Sequence, residues 1–209
     1  MKKISLIAFV CFYSLITSAK DVYFLDLKNV QKNKEIISST TFKQVEDLGI
    51  ISSLYQDDIM KLEFTLQPIC IDLNLKNESH EDILVDWNKM IYVDNKGNAE
   101  RIIHKNISFK DKDKEMEPSL IIGQSKISDS IIPISKISYS SYFRRWMYGF
   151  LILDKEYNEN DKLILRVPIK VGEEQYQYTF TFEVCKYEWK MKTVDGARPT
   201  LKPLKKARK

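Results

Sequence analysis

The chain predicts an all-β antiparallel domain, a sandwich or barrel of about eight strands with little helix. Three observations carry this. Apolar and polar residues alternate with period two in several stretches. Turn-forming residues separate those stretches at short intervals. No run shows sustained helical periodicity, so the crossover helices of ten or more residues that a parallel α/β fold needs are missing.

Val22 to Leu27 is the first candidate strand. Thr41 to Leu48 is the best place for a short helix. Met60, Leu62, Phe64 and Leu66 then alternate with Lys61, Glu63 and Thr65. At Gln67-Pro68 the apolar parity moves to Ile69, Ile71, Leu73 and Leu75. Proline donates nothing to a strand ladder, so the switch predicts a bulge or kink at Pro68. Asn77 to His80 closes the segment as a turn.

Met90 to Val93 and Arg101 to His104 read as a hairpin around the loop Asp94-Asn95-Lys96-Gly97-Asn98, whose Asn and Gly residues tolerate positive φ. Ile107 to Phe109 reads as a short extension, followed by the charged loop Lys110 to Glu115. Pro118 to Pro133 reads as one or two edge strands turning at Gly123-Gln124, Ser138 to Trp146 as a long loop, and Gly149 to Leu153 as a returning strand. The clearest hairpin pairs Leu163, Leu165, Val167, Ile169 and Val171 with Tyr176, Tyr178, Phe180, Phe182 and Val184 across the turn Gly172 to Gln175. β-branched and aromatic residues fill both apolar faces, as a half-buried pleated surface prefers.

The ends differ from this body. Met1, Lys2 and Lys3 precede an apolar run from Ile4 to Ile16, and Thr17, Ser18 and Ala19 supply a small-residue exit. That pattern is a secretory signal peptide cleaved after Ala19. The run is shorter than the ~20 residues of a spanning helix, which disfavours an uncleaved anchor. Export to the periplasm, the cell surface or the medium is therefore expected. The formal net charge is +4. The signal segment carries +2, and Lys186 to Lys209 carries nine basic and two acidic residues, which leaves −5 for the body between them. Predicted boundaries are residues 1–19 for the signal, 20–58 for an N-terminal arm or strand region, 59–190 for the sandwich core and 191–209 for a disordered basic tail. An overall positive charge with this distribution does not indicate specific nucleic-acid binding. The tail suits weak electrostatic contact with anionic surfaces.

Val85-Asp86-Trp87-Asn88-Lys89-Met90-Ile91-Tyr92-Val93-Asp94-Asn95-Lys96-Gly97 and Glu100-Arg101-Ile102-Ile103-His104-Lys105 carry a resemblance. Pro118 to Gly123 and Asp129 to Pro133 extend it. From about Met60 to Val184 the chain resembles uncharacterised exported bacterial envelope proteins, often lipoproteins, with an immunoglobulin-like or LEA-like β-sandwich. The resemblance implies an immunoglobulin-like sandwich and supplies no catalytic residues. No lipid-attachment Cys is present, and Asn106 stands where that family has Gly.

No assembled catalytic motif appears: no Gly-x-Ser-x-Gly, phosphate loop or dinucleotide fingerprint. His80 and His104 lack ligand spacing, so neither a metal nor another cofactor is expected. Asp57-Asp58 and Glu173-Glu174 read as solvated turn charges, because sequence neighbours on a strand point to opposite faces. Cys70 and Cys185 are the cysteines left after cleavage, both at polar-face parity. They form either a disulfide between neighbouring strands or two separate thiols. Trp87 is expected to pack. Tyr142, Arg144, Arg145 and Trp146, with Tyr139, Phe143 and Tyr148, are the candidate binding residues, since Arg interleaved with aromatics is the composition of binding hot spots. The same cluster is expected, on balance, to seal the end of a sandwich. The functional expectation is a non-catalytic envelope protein that binds another protein or a surface polymer. The alternative is a carbohydrate-binding or carbohydrate-active module, which requires Trp87, Trp146 or Tyr142 to lie flat and exposed.

Overall fold

The computed structural model describes residues 21–37, 42–47, 50–152, 158 and 160–188. The chain divides into Tyr23–Cys185 and a second unit made of Met1–Val22 and Lys186–Lys209. The expected signal segment and basic tail lie outside the described residues.

Among the described residues the chain forms fifteen strands: β1 (Asp21–Lys32), β2 (Glu35–Ile36), β3 (Phe42–Asp47), β4 (Ile50–Gln56), β5 (Met60–Leu66), β6 (Ile71–Asn77), β7 (Ile83–Val85), β8 (Ile91–Val93), β9 (Ala99–His104), β10 (Ser119–Ile121), β11 (Lys126–Pro133), β12 (Ile137–Ser140), β13 (Arg145–Tyr148), β14 (Lys162–Val171) and β15 (Glu174–Glu188). The only helical pieces among them are short 3-10 turns such as Trp87–Lys89. The all-β class is as expected. The strand count is not. Thirteen strands form one antiparallel sheet in the order β2-β1-β15-β14-β8-β9-β11-β6-β5-β4-β3, with β7 beside β14 and β10 beside β7. The sheet curls into a half-barrel of thirteen strands, where a sandwich or barrel of about eight was expected.

The curl brings distant strands face to face. Phe64 on β5 meets Phe180 and Phe182 on β15 edge-on, with ring centroids 4.8 and 5.0 Å apart. Tyr55 on β4 meets Phe180 at 5.4 Å. Leu163, Leu165, Val167, Ile169 and Val171 are all buried, as are Met60, Leu62, Ile71, Leu73 and Leu75. Burial of each such side chain contributes about 1.5–3 kcal/mol. One serine helps close the curl. Ser53 Oγ on β4 donates to the Leu25 carbonyl at 2.7 Å and accepts from the Leu27 N–H at 3.1 Å, satisfying an edge of β1 that β2 does not reach.

Several local expectations change. Residues 42–47, expected as helix, form the strand β3, because pairing from Phe42 opposite Tyr55 to Asp47 opposite Ile50 supplies its backbone partners. The parity switch at Pro68 is a hairpin rather than a bulge: β5 and β6 pair side by side, Leu66 opposite Ile71 and Met60 opposite Asn77. Ser138 to Trp146 is a hairpin rather than a loop. Gly149 to Ile152 is not a strand, and Phe109 opens a 3-10 turn. β11 is internal, between β6 and β9, and only β10 is an edge strand in the Pro118–Pro133 stretch. The β14–β15 turn is tighter than predicted, with Val171 opposite Glu174 and Gly172 at φ +55°.

Candidate functional site

The hairpin β12–β13 is a sheet of its own among the described residues. Ile137 pairs with Tyr148, Ser138 with Met147, Tyr139 with Trp146 and Ser140 with Arg145. Alternation therefore puts Ile137, Tyr139, Trp146 and Tyr148 on one face. Ile137 is buried and anchors that face to the core. The base is fixed by the Gly149 N–H on the Lys136 carbonyl at 2.7 Å, and by buried Leu151, whose N–H meets the Pro68 carbonyl at 2.9 Å. Lys112 Nζ adds a bond to the Ile137 carbonyl at 3.2 Å.

From this base the tip, Ser141 to Arg145, is exposed throughout. Tyr142 keeps 87% of its surface, Phe143 58%, Tyr139 53% and Tyr148 50%, and Phe150 follows with 55%. Tyr142 and Phe143 stack edge-to-face at 4.9 Å, and the Arg145 guanidinium lies 5.6 Å from the Phe143 ring. Arg144 sits at φ +51°, the left-handed conformation that lets the turn close. Trp146 is half-buried, edge-on to Tyr139 at 5.6 Å. The structure thus brings Tyr142, Arg144, Arg145 and Trp146 together. It exposes most of the cluster that was expected to seal the sandwich, while Trp146 packs against the core. The reason is the strand pairing: a hairpin stabilised by its own ladder and one buried root leaves its tip unpacked. Phe150 was missed. The alternation of Ile137 with Tyr139, and of Trp146 with Tyr148, was the signal that would have found the hairpin.

A second cluster lies in the core. The ring of His104, at the end of β9, stacks on Trp87 at 4.7 Å with planes 14° apart. Its Nδ1–H donates to Asp129 Oδ2 on β11 at 3.0 Å, the direction an ionised carboxylate requires. Burial works against ionisation of Asp129. The His104 hydrogen bond, the N–H groups of Ser130 and Lys105 and the imidazole charge outweigh it and hold the carboxyl below its ordinary value. An imidazole–carboxylate pair is half of a nucleophilic triad. Here the neighbouring Ser130 hydroxyl donates instead to Asp72 at 2.6 Å. The void beside Trp87 and Asp129 measures about 10 Å³, barely one water's room. Trp87 is buried, with its indole N–H on Ser119 Oγ at 2.9 Å.

A polar groove of about 400 Å³ crosses the sheet face opposite the core. Register aligns Ser52, Thr65, Asp72 and Ser130 in one row across β4, β5, β6 and β11. These groups largely satisfy one another: Ser52 with Thr65 at 2.8 Å, Ser130 with Asp72.

Asp57 is not the solvated turn charge expected. Its carboxylate accepts from both Tyr55 and Tyr178 hydroxyls, while Asp58 stays exposed. Cys70 and Cys185 are not bonded to each other. β6 and β15 are separated in the sheet by β14, β8, β9 and β11, whereas the expected bridge needed neighbouring strands. Cys70 Sγ lies 3.6 Å from Asp72 Oδ1. Burial first, then the Asp72 charge, pushes this thiol up to about 11. His80 is exposed in its turn. Among the described residues no group of His, Cys, Asp and Glu has the arrangement of a metal site, and no helix is long and apolar enough to cross a membrane. No protein-family model, curated protein or solved structure matches the chain.

Proposed function

We propose that this chain is an exported, non-catalytic bacterial envelope protein that holds another protein or a surface component against the β12–β13 hairpin. One observation carries the proposal: four large aromatic side chains and two arginines stand exposed on one small, rigidly rooted hairpin, with Phe150 exposed just after it. Exposed aromatic clusters on a domain with an ample core are costly unless something covers them. Tyr and Arg are also the residues that dominate contact energetics. The self-satisfied polar groove and the enclosed His104–Asp129 pair support a binding role over a catalytic one. The charged, apolar and small-residue order of Met1 to Ala19 supports export. The immunoglobulin-like sandwich family belongs to the same proposal, supported by the sheet halves that face each other across one core. A carbohydrate module is less well supported: of the three rings it could use, Trp87 is buried and Trp146 half-buried, which leaves Tyr142 as the one fully exposed platform.

The test is a pull-down from envelope extract with the full chain and with Tyr142→Ser/Phe143→Ser as baits. Proteins, lipids or glycans retained by the wild type and lost from the variant are the expected result. Identical captured sets would remove the hairpin from the account.

A further inference from the structure

The geometry points to the occupant of this surface: an anionic phospholipid bilayer, whose interface receives the Tyr142 and Phe143 rings while Arg144 and Arg145 meet lipid phosphates. This deepens the reading of the hairpin as the contact surface and rests on it. Charge is the first argument. From Ile134 to Ile152 the chain holds Lys136, Arg144 and Arg145 and not one Asp or Glu, within a body of net negative charge. A carboxylate that does reach this segment, Glu100, is occupied by the Ser135 N–H and hydroxyl, each at 2.8 Å. The hairpin is therefore a cationic projection on an acidic domain, complementary to an anionic surface.

Shape is the second argument. A specific protein contact centres on a well-packed patch of about 800 Å² on each partner. The tip Ser141–Arg145 is a short, fully exposed turn, far smaller than such a patch. A bilayer interface asks for no such complementarity. It accepts amphipathic rings at headgroup depth, and guanidinium groups bind phosphate with two parallel hydrogen bonds. The Arg145 guanidinium beside the Phe143 ring brings cation and ring to the surface together. The buried root at Ile137 and Leu151 holds the tip in place.

The test is flotation of the full chain with vesicles of phosphatidylcholine alone, or of phosphatidylcholine and phosphatidylglycerol in equal parts. Variants are Tyr142→Ser/Phe143→Ser, Arg144→Gln/Arg145→Gln and the distant control Lys96→Gln. The terminal segments are common to all, so differences report on the hairpin. Circular dichroism checks that each variant is folded. The expected result is binding that requires phosphatidylglycerol and weakens roughly tenfold or more in either hairpin variant, with the control unchanged. Failure of the wild type to bind, or hairpin variants that bind like the wild type, overturns the inference. If those variants lose proteins from the envelope pull-down yet bind vesicles normally, the occupant is a protein: the bilayer falls and the hairpin stands. If neither assay responds, both fall.

Discussion

Replacing Asp57 by alanine removes one acceptor from four donors at once. Asp57 Oδ2 accepts from the Tyr55 hydroxyl at 2.8 Å and the Tyr178 hydroxyl at 2.7 Å. Its Oδ1 accepts from the Ile59 and Met60 N–H groups at 3.0 and 2.8 Å. Lys32 Nζ stands 3.6 Å away, and the Asp57 side chain is 10% exposed. Each hydrogen bond to a charged group contributes about 1.5–3 kcal/mol. The four do not add, because they share one carboxylate and water hydrates part of the turn once it is gone. The expectation is the range for breaking a buried charged cluster, about 3–5 kcal/mol. For a chain of this size that lowers Tm by about 10 °C. Urea titration followed by the fluorescence of the tryptophans and by far-ultraviolet circular dichroism measures it. In a Tyr55→Phe/Tyr178→Phe background two donors are already absent, so Asp57→Ala should cost only about 2 kcal/mol. A cost under about 1 kcal/mol in the wild-type background would refute the reasoning.

Other perturbations test other parts of the account. Asp129 is held below its ordinary value, so its contribution is complete above the unfolded carboxyl range and is lost as pH falls through the folded value. Asp129→Asn should therefore flatten the acid limb of the stability profile below about pH 4, and an unchanged limb counts against the pair. Tyr55 and Tyr178 are raised by burial first and by Asp57 next. Their contribution is full below the ordinary phenol range and is lost as pH climbs through the raised folded values. Asp57→Ala removes one cause of the rise, so the variant should lose less stability between neutral and alkaline pH than the wild type does, and an equal or larger loss counts against the link. Ser53→Ala leaves the Leu25 carbonyl and Leu27 N–H without their partner, at about 1–3 kcal/mol. Amide exchange at Leu27 should quicken, and undisturbed exchange would deny the serine its closing role. Cys70, pushed up to about 11, should alkylate with iodoacetamide at pH 8 roughly a hundredfold more slowly than an ordinary thiol. Site-resolved mass spectrometry reads the rate, and fast labelling would contradict the burial and Asp72 argument.

Period-two alternation was legible wherever a strand has one wet face. The Leu163–Val171 and Tyr176–Val184 stretches lie where that pattern placed them, as does the hairpin around Asp94–Asn98. A parity switch has two physical causes, a bulge or a reversal of direction, and nothing local at Gln67-Pro68 chose between them. Pairing of Leu66 with Ile71 decided it. Strand β3 was hidden because Lys43, Glu46 and Asp47 are residue types that strands disfavour, and the partner that fixes their conformation is β4. Sheet order is a long-range property. That Ser53 would reach the edge of β1, or that Asp57 would collect hydroxyls from Tyr55 and Tyr178, is set by a curl no window of sequence contains. The binding candidates were legible from composition, since Tyr142, Arg144, Arg145 and Trp146 stood out as a cluster. Whether such a cluster packs or projects depends on what lies above it, which pairing and burial determine.

The most direct measurement places a photo-crosslinking amino acid at Tyr142 in the full chain inside living cells, with Lys96 as the control position. The account predicts adducts, to lipid or to protein, from position 142 and few from position 96. Equal adducts from the two positions, or none from position 142, would contradict the claim that the aromatic hairpin is the surface this protein works with.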